Sequence, residues 1–106
     1  MPIRTITAFL FMLLPFSTSD NEVIYPECEY NGIALYGKVK FVTSFPDIKV
    51  QFVSSFPDIK VKFVENFPDE CGEWQIVESF PDFTIQIVES FPDIKVEVVN
   101  SFPGEP

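Results

Sequence analysis

Acidic and hydroxyl side chains recur at fixed places along this 106-residue chain, and they are the groups with which it could do chemistry. An aspartate follows five of the Phe-Pro pairs, and a serine precedes most of these pairs. The aspartates are Asp47, Asp58, Asp69, Asp82 and Asp93. The chain contains no His, which is the usual general base beside a catalytic Ser. Because catalysis needs one preorganised site and equivalent corners offer none, we predict no catalytic residue and no enzymatic activity.

Cation binding is the alternative function that these carboxylates suggest. The five aspartates, together with Glu65, Glu78 and Glu89 near predicted strand ends, could converge as Ca²⁺ ligands. Calcium sites in repeat proteins use glycine-tight loops with several oxygen ligands each, whereas each corner here supplies one aspartate. We therefore predict no cofactor, and we keep a cation site at the five aspartates as the alternative.

An eleven-residue repeat organises these side chains. Six Phe-Pro pairs follow one another at intervals of 11, 11, 13, 11 and 11 residues, and the longer interval contains Cys71. We predict that each pair forms a structural corner; the pairs are Phe45-Pro46, Phe56-Pro57, Phe67-Pro68, Phe80-Pro81, Phe91-Pro92 and Phe102-Pro103. Residues 34–44 fit as a degenerate first copy. A proline every eleven residues would break any helix, so the pattern predicts an all-β chain.

Each copy predicts one corner followed by one short strand. After Asp47 the sequence alternates apolar and polar residues through Phe52, which is the period of a β-strand. The same alternation predicts strands near 38–42, 48–52, 59–64, 74–77, 83–88 and 94–99. At the corner, proline fixes φ and the aspartate carboxylate is placed to bond a nearby backbone N–H.

The strands must pack against one another, because one repeat cannot bury its own apolar face. We count the corner phenylalanines and the inward strand positions, Phe52 among them, as one compact core. An apolar pair such as Phe52-Val53 closes each copy, and neighbours on a strand face opposite ways. Either both sides of the strand ends are covered or a bulge turns Val inward, and both options predict layered packing rather than one open sheet.

The first residues of the chain predict export. Arg4 precedes an apolar stretch at 6–16 and a small polar run at 17–19, which is the layout of a cleaved secretory signal peptide. A retained anchor is the alternative, although about eleven apolar residues are short for a roughly 30 Å hydrocarbon layer. In an oxidising compartment, secreted or periplasmic, Cys28 and Cys71 are expected to form a disulfide.

Charge limits the partners. Residues 20–106 contain sixteen acidic residues and six lysines, a net charge of −10, which disfavours nucleic acid and anionic membranes. Residues 37–63 carry a net charge of +3 and residues 64–106 one of −9. Because opposite charges on facing strands stabilise a sheet, we predict that the two halves of the repeat array pair with each other.

The tandem units FPDIKVQFVSS, FPDIKVKFVEN, FPDFTIQIVES and FPDIKVEVVNS, with a longer copy ending in GEWQIVES and a closing SFPG, resemble the septoil-knot domain family. The resemblance covers about residues 28–104. It implies an all-β domain of six or seven short interleaved strands whose path forms a deep seven-crossing torus knot. It implies no established activity, ligand or partner. The first copy departs from the family pattern because it lacks the Phe-Pro-Asp corner.

These inferences divide the chain into four segments. Residues 1–19 are expected to be a signal peptide, 20–33 an N-terminal lead-in segment, 34–104 the knotted repeat domain and 105–106 a tail. Tyr25, Tyr30, Tyr36 and Trp74 could contact a partner, but we favour their interpretation as caps on the core. The predicted function is that of an exported, non-enzymatic, very stable β domain with a structural or protein-interaction role, without a membrane span once the signal is removed. Its partner, and whether it self-associates, stay open.

Overall fold

A computed structural model describes residues 22–106. The predicted signal peptide and the first two residues of the lead-in segment lie outside this range. The described chain forms eight short strands, and the six strands predicted from the sequence are confirmed. The strands are β1 Glu29–Tyr30, β2 Ile33–Ala34, β3 Gly37–Phe41, β4 Ile48–Phe52, β5 Ile59–Phe63, β6 Glu73–Ile76, β7 Phe83–Ile87 and β8 Ile94–Val98.

Six of these strands close into a parallel barrel. Their order around the barrel is β3-β6-β5-β8-β4-β7, and every neighbouring pair runs in the same direction. All six strands therefore begin at one end of the barrel, here called the N-terminal mouth. They all finish at the other end, called the C-terminal mouth.

The two halves of the repeat array interleave around this barrel. Each of β3, β4 and β5 pairs only with members of the set β6, β7 and β8. Val50 in β4, for example, has Ile87 of β7 as its Cα partner on one side and Ile94 of β8 on the other. The predicted pairing between the halves is thus confirmed. Opposite charges face each other in two pairs, Lys60 with Glu97 and Lys62 with Glu73, but the other four lysines face Gln or Thr.

The core fills the barrel through the alternation that the sequence shows. Ile48 and Val50 are fully buried, whereas Lys49 between them is exposed. The equivalent buried positions in the other strands are Val39, Ile59, Val61, Trp74, Phe83, Ile85, Ile94 and Val96. The Trp74 ring packs edge-on against Phe83, with ring centroids 5.6 Å apart. Most of these side chains are β-branched, which suits the tightly pleated interior of a small barrel.

The N-terminal mouth is closed by residues 22–36, here called the N-terminal cap. Its hairpin β1–β2 turns at Asn31-Gly32, both with positive φ, the pattern of a two-residue hairpin turn. Leu35 is completely buried, and its carbonyl accepts the Trp74 indole N–H at 3.1 Å. A Cys28–Cys71 disulfide, as predicted, ties the cap to the segment before β6.

Candidate functional site

Five of the six corners straddle one strand of the other half. The corner at Phe67 differs because it joins β5 to β6, which are neighbours in the barrel. The strand β7 lies between β3 and β4 in the barrel, so the chain must cross β7 to pass from one to the other. Where the crossing starts, the Val42 N–H donates to the Ile85 carbonyl at 2.8 Å. Where it ends, the Asp47 N–H donates to the Thr84 carbonyl at 3.1 Å. The corner therefore passes over β7 and is pinned to it on both sides.

The same pair of bonds recurs at four further corners. In each, the valine after a strand and the last residue of the corner donate to successive carbonyls of the strand that is crossed. The donor and acceptor pairs are Val53–Val96 and Asp58–Lys95, Val77–Val39 and Asp82–Lys38, Val88–Val50 and Asp93–Lys49, and Val99–Val61 and Gly104–Lys60. Corners of the first half thus cross strands of the second half, and corners of the second half cross strands of the first.

At four of these corners the aspartate carboxylate also accepts a hydrogen bond from a backbone N–H of the crossed strand. The Lys95 N–H donates to Asp58 Oδ2 at 2.8 Å while the Asp58 N–H donates to the Lys95 carbonyl at 2.8 Å. Equivalent carboxylate bonds reach the N–H groups of Lys38, Lys49 and Thr84 from Asp82, Asp93 and Asp47. The backbone N–H that bonds each carboxylate is near in space but lies 37 or 44 residues away along the chain.

These bonds leave the aspartates apart from one another. Across residues 22–106, no three His, Cys, Asp or Glu side chains gather as metal ligands would. Asp69 differs from the other four, since its N–H donates to the Phe67 carbonyl and to Glu73 Oε1. The aspartate carboxylates join each corner to the backbone of the crossed strand, and their arrangement gives the alternative cation site no support.

The corner phenylalanines point into solvent, so the expectation that they belong to the core is wrong. Their exposed fractions run from 80 to 97 %. They are Phe45, Phe56, Phe67, Phe80, Phe91 and Phe102. Each also has a left-handed backbone, with φ between 53° and 57°. A bulky residue rarely adopts this conformation, and a following proline disfavours it further. This backbone conformation turns each ring away from the barrel. The periodicity of the sequence does not reveal that conformation.

The last residue of each barrel strand is a second group of accessible apolar side chains. These residues share the inward face with the core residues two positions earlier, yet they are 38 to 47 % exposed because they lie at the C-terminal mouth. We call them the mouth ring: Phe41, Phe52, Phe63, Ile76, Ile87 and Val98. The expectation that Phe52 and its equivalents are buried is therefore only half correct. The valines that follow them are half-buried on the outer face, where the crossing begins.

Two tyrosines of the N-terminal cap bond at the N-terminal mouth. The Tyr25 hydroxyl donates to the Asp58 carbonyl at 2.7 Å, directly before β5. Burial, followed by the negative charges of Glu105 and Asp58, raises the pKa of Tyr25 to about 12. Burial also raises the pKa of Tyr30, and the negative charge of Asp93 and its hydrogen bond with Tyr30 raise that pKa further. Both tyrosines, like the buried Trp74, serve as parts of the cap and core.

Two clefts lie near the mouths. One of about 620 Å³ runs beside the β1–β2 hairpin and has Lys38, Asp69 and Asp82 among its lining residues. The Asp82 carboxylate in it already accepts the Lys38 N–H. The other, of about 410 Å³, opens beside the C-terminal mouth and is lined by Phe63, Val64, Glu65, Gln75 and Ile76. It combines two ring residues with a carboxylate.

The fold and its surface define a class of protein: a small, disulfide-linked, all-β repeat domain in which two halves of the chain interleave around one parallel barrel. The model of the 7(1) septoil knot domain family matches residues 32–106, and the chain belongs to that family. No curated protein matches the sequence. Nowhere within residues 22–106 is there a helix with the length and apolarity needed to cross a membrane.

Proposed function

We propose that the chain is an exported, non-enzymatic interaction module that presents its corner phenylalanines to a protein partner on a slowly unfolding, knotted scaffold. The observation that carries this proposal is the combination of near-complete exposure and left-handed backbone at all six corners. A corner selected for stability alone would place Gly or Asn there, because these residues adopt a left-handed backbone at lower cost.

The scaffold supports such a role. Five of the six corners are fixed at both ends by backbone hydrogen bonds to the crossed strand, so their phenylalanines sit on ordered backbone rather than on free loops. A partner that binds preorganised side chains loses less conformational entropy on association. Interleaving of the two halves, with the seven-crossing path that the family implies, is expected to slow unfolding more than it raises equilibrium stability.

Export and the absence of catalysis rest on separate features. The Cys28–Cys71 disulfide is typical of an oxidising compartment. The sequence has no His, and its corner serines occupy equivalent repeat positions, so none of them is set apart as a nucleophile.

Photo-crosslinking on cells that export the chain tests the interaction role. The unchanged protein is compared with a variant in which all six corner phenylalanines are Asn, and with a control in which the corner serines are Ala. The control changes are Ser44→Ala, Ser55→Ala, Ser79→Ala, Ser90→Ala and Ser101→Ala. We expect the Asn variant to lose its crosslinked partner and the Ala control to keep it.

A folded Asn variant that retains the same partner would refute the role of the phenylalanines. Mass spectrometry of the exported protein tests whether the signal peptide is cleaved. We expect a chain that begins near Asp20. A mature protein that retains Met1 would contradict cleavage.

A further inference from the structure

The C-terminal mouth is an open apolar ring. Because all six barrel strands are parallel, their last residues meet at one end, and they face the barrel axis as the buried residues before them do. In barrel order the ring alternates aromatic and aliphatic side chains: Phe41, Ile76, Phe63, Val98, Phe52 and Ile87. Each is between 38 and 47 % exposed, so an apolar surface faces solvent there.

The N-terminal mouth of the same barrel shows which kind of side chain can fill such an opening. There the chain covers its own N-terminal mouth with a short segment that inserts Leu35 completely into the core and adds Tyr30 beside it. The described C-terminal residues offer no such cover at the C-terminal mouth, because Gly104 pairs with Lys60 near the start of β5. The two mouths therefore differ in that one is filled by this chain and the other is accessible.

The charges around the C-terminal mouth indicate which kind of partner could bind there. Glu65, Glu78 and Glu89 are exposed and each lies two residues beyond a ring residue. The six segments that follow the barrel strands, as far as each corner proline, contain no Lys and no Arg. A second copy docked mouth to mouth would bring carboxylates against carboxylates, which disfavours association. A positively charged partner finds complementary charge around an apolar centre.

We propose that the C-terminal mouth binds a basic peptide segment of another protein. One large apolar side chain of the segment inserts into the mouth ring, and flanking Lys or Arg side chains face Glu65, Glu78 and Glu89. The cleft of about 410 Å³ between Phe63, Ile76 and Glu65 is the part of the rim where both features already meet. This inference concerns a surface other than the corner phenylalanines and does not depend on them.

The test uses the mature protein and a fluorescein-labelled peptide of sequence Lys-Arg-Leu-Phe-Lys-Arg. Fluorescence anisotropy measures affinity, and NMR chemical-shift mapping locates the site. We expect saturable binding, with the largest shifts in the mouth ring, that weakens as salt rises. A peptide with Ser-Ser in place of Leu-Phe and one with Glu in place of the basic residues should both bind at least tenfold more weakly.

Matched variants separate the mouth from general electrostatics. The triple change Glu65→Gln, Glu78→Gln and Glu89→Gln should weaken binding about tenfold, as expected for three exposed charge pairs. Its control, Glu22→Gln, Glu27→Gln and Glu29→Gln, alters net charge equally on the N-terminal cap and should change affinity less than twofold.

Conservative changes in the ring keep the proposal testable if larger ones unfold the protein. Ile87→Thr and Val98→Thr should retain the fold and weaken the peptide at least threefold. The six-Asn corner variant should bind the peptide unchanged, which separates this inference from the proposed function. Shifts spread over the acidic surface, equal losses in the two Glu triples, a mouth-to-mouth dimer in sedimentation, or no binding at millimolar peptide would each overturn it.

Discussion

Replacing Phe45 with Asn measures whether a corner phenylalanine is kept at a cost to stability. Phe45 is 97 % exposed and has φ of 53°. A Phe side chain has about 200 Å² of surface, so at this exposure only about 6 Å² of the Phe45 ring is buried. Removing the ring therefore costs roughly 0.2 kcal/mol of apolar burial. A left-handed backbone costs a non-glycine residue about 1 to 2 kcal/mol, and Asn adopts it more readily. We therefore expect Phe45→Asn to raise the free energy of unfolding by about 0.5 to 1.5 kcal/mol.

Equilibrium denaturation, followed by the fluorescence of the single tryptophan, Trp74, reports this difference once unfolding and refolding curves coincide. Phe45→Ala is the matched control, since it removes the ring but keeps a Cβ in the left-handed region; we expect a change of less than about 0.5 kcal/mol. Phe83→Ala, at a buried position, should lose about 3 to 5 kcal/mol. If Phe45→Asn instead destabilises the fold by more than about 1 kcal/mol, the ring has a packing role and is not kept at a cost to stability.

Three further perturbations probe the cap and the crossings. Replacing Cys28 and Cys71 together with Ser should lower the free energy of unfolding by about 4 kcal/mol, and added dithiothreitol should destabilise only the unchanged protein; equal sensitivity of both proteins would speak against the disulfide. Gly72→Ala should lower the free energy of unfolding by more than about 2 kcal/mol, because its Cβ would collide with backbone at the Lys60 crossing. Gly32→Ala is the control, since Gly32 has a similar φ but open space around it, and it should lower the free energy of unfolding by about 1 kcal/mol in thermal or chemical denaturation. Similar losses in the two variants would exclude the collision. Since burial and nearby carboxylates raise the pKa of Tyr25 from 10.0 to about 12, the folded state holds a proton that the unfolded state releases, so stability should fall as pH rises through that window. A difference spectrophotometric titration against Tyr25→Phe should show the late-titrating phenol, and one that titrates near 10 would contradict its burial.

The sequence predicts the strands for reasons that are local. Alternation through residues such as Ile48 and Val50 specifies an inward face, and proline at each corner stops the strand. The unequal charge of the two halves predicts that they pair, although few lysines face acids. Aspartate–backbone bonds such as that between Asp58 and Lys95 hold the halves more generally.

The exposed surface could not be predicted in the same way. A phenylalanine at a repeated position is usually a core residue, and only the left-handed φ of Phe45 and its equivalents turns the ring outward. The mouth ring depends on parallel closure, which brings residues as distant as Phe41 and Val98 to one end. The Asn31-Gly32 dipeptide, by contrast, is a recognised hairpin signal that would have predicted β1–β2.

Backbone NOEs across the barrel in a uniformly labelled sample test whether the two halves interleave. We expect Val50 to show cross-strand contacts with both Ile87 and Ile94, and β4 to show none with β3 or β5. Cross-strand contacts between β3 and β4, or between β4 and β5, would mean that successive repeats stack in sequence order and that the halves do not interleave.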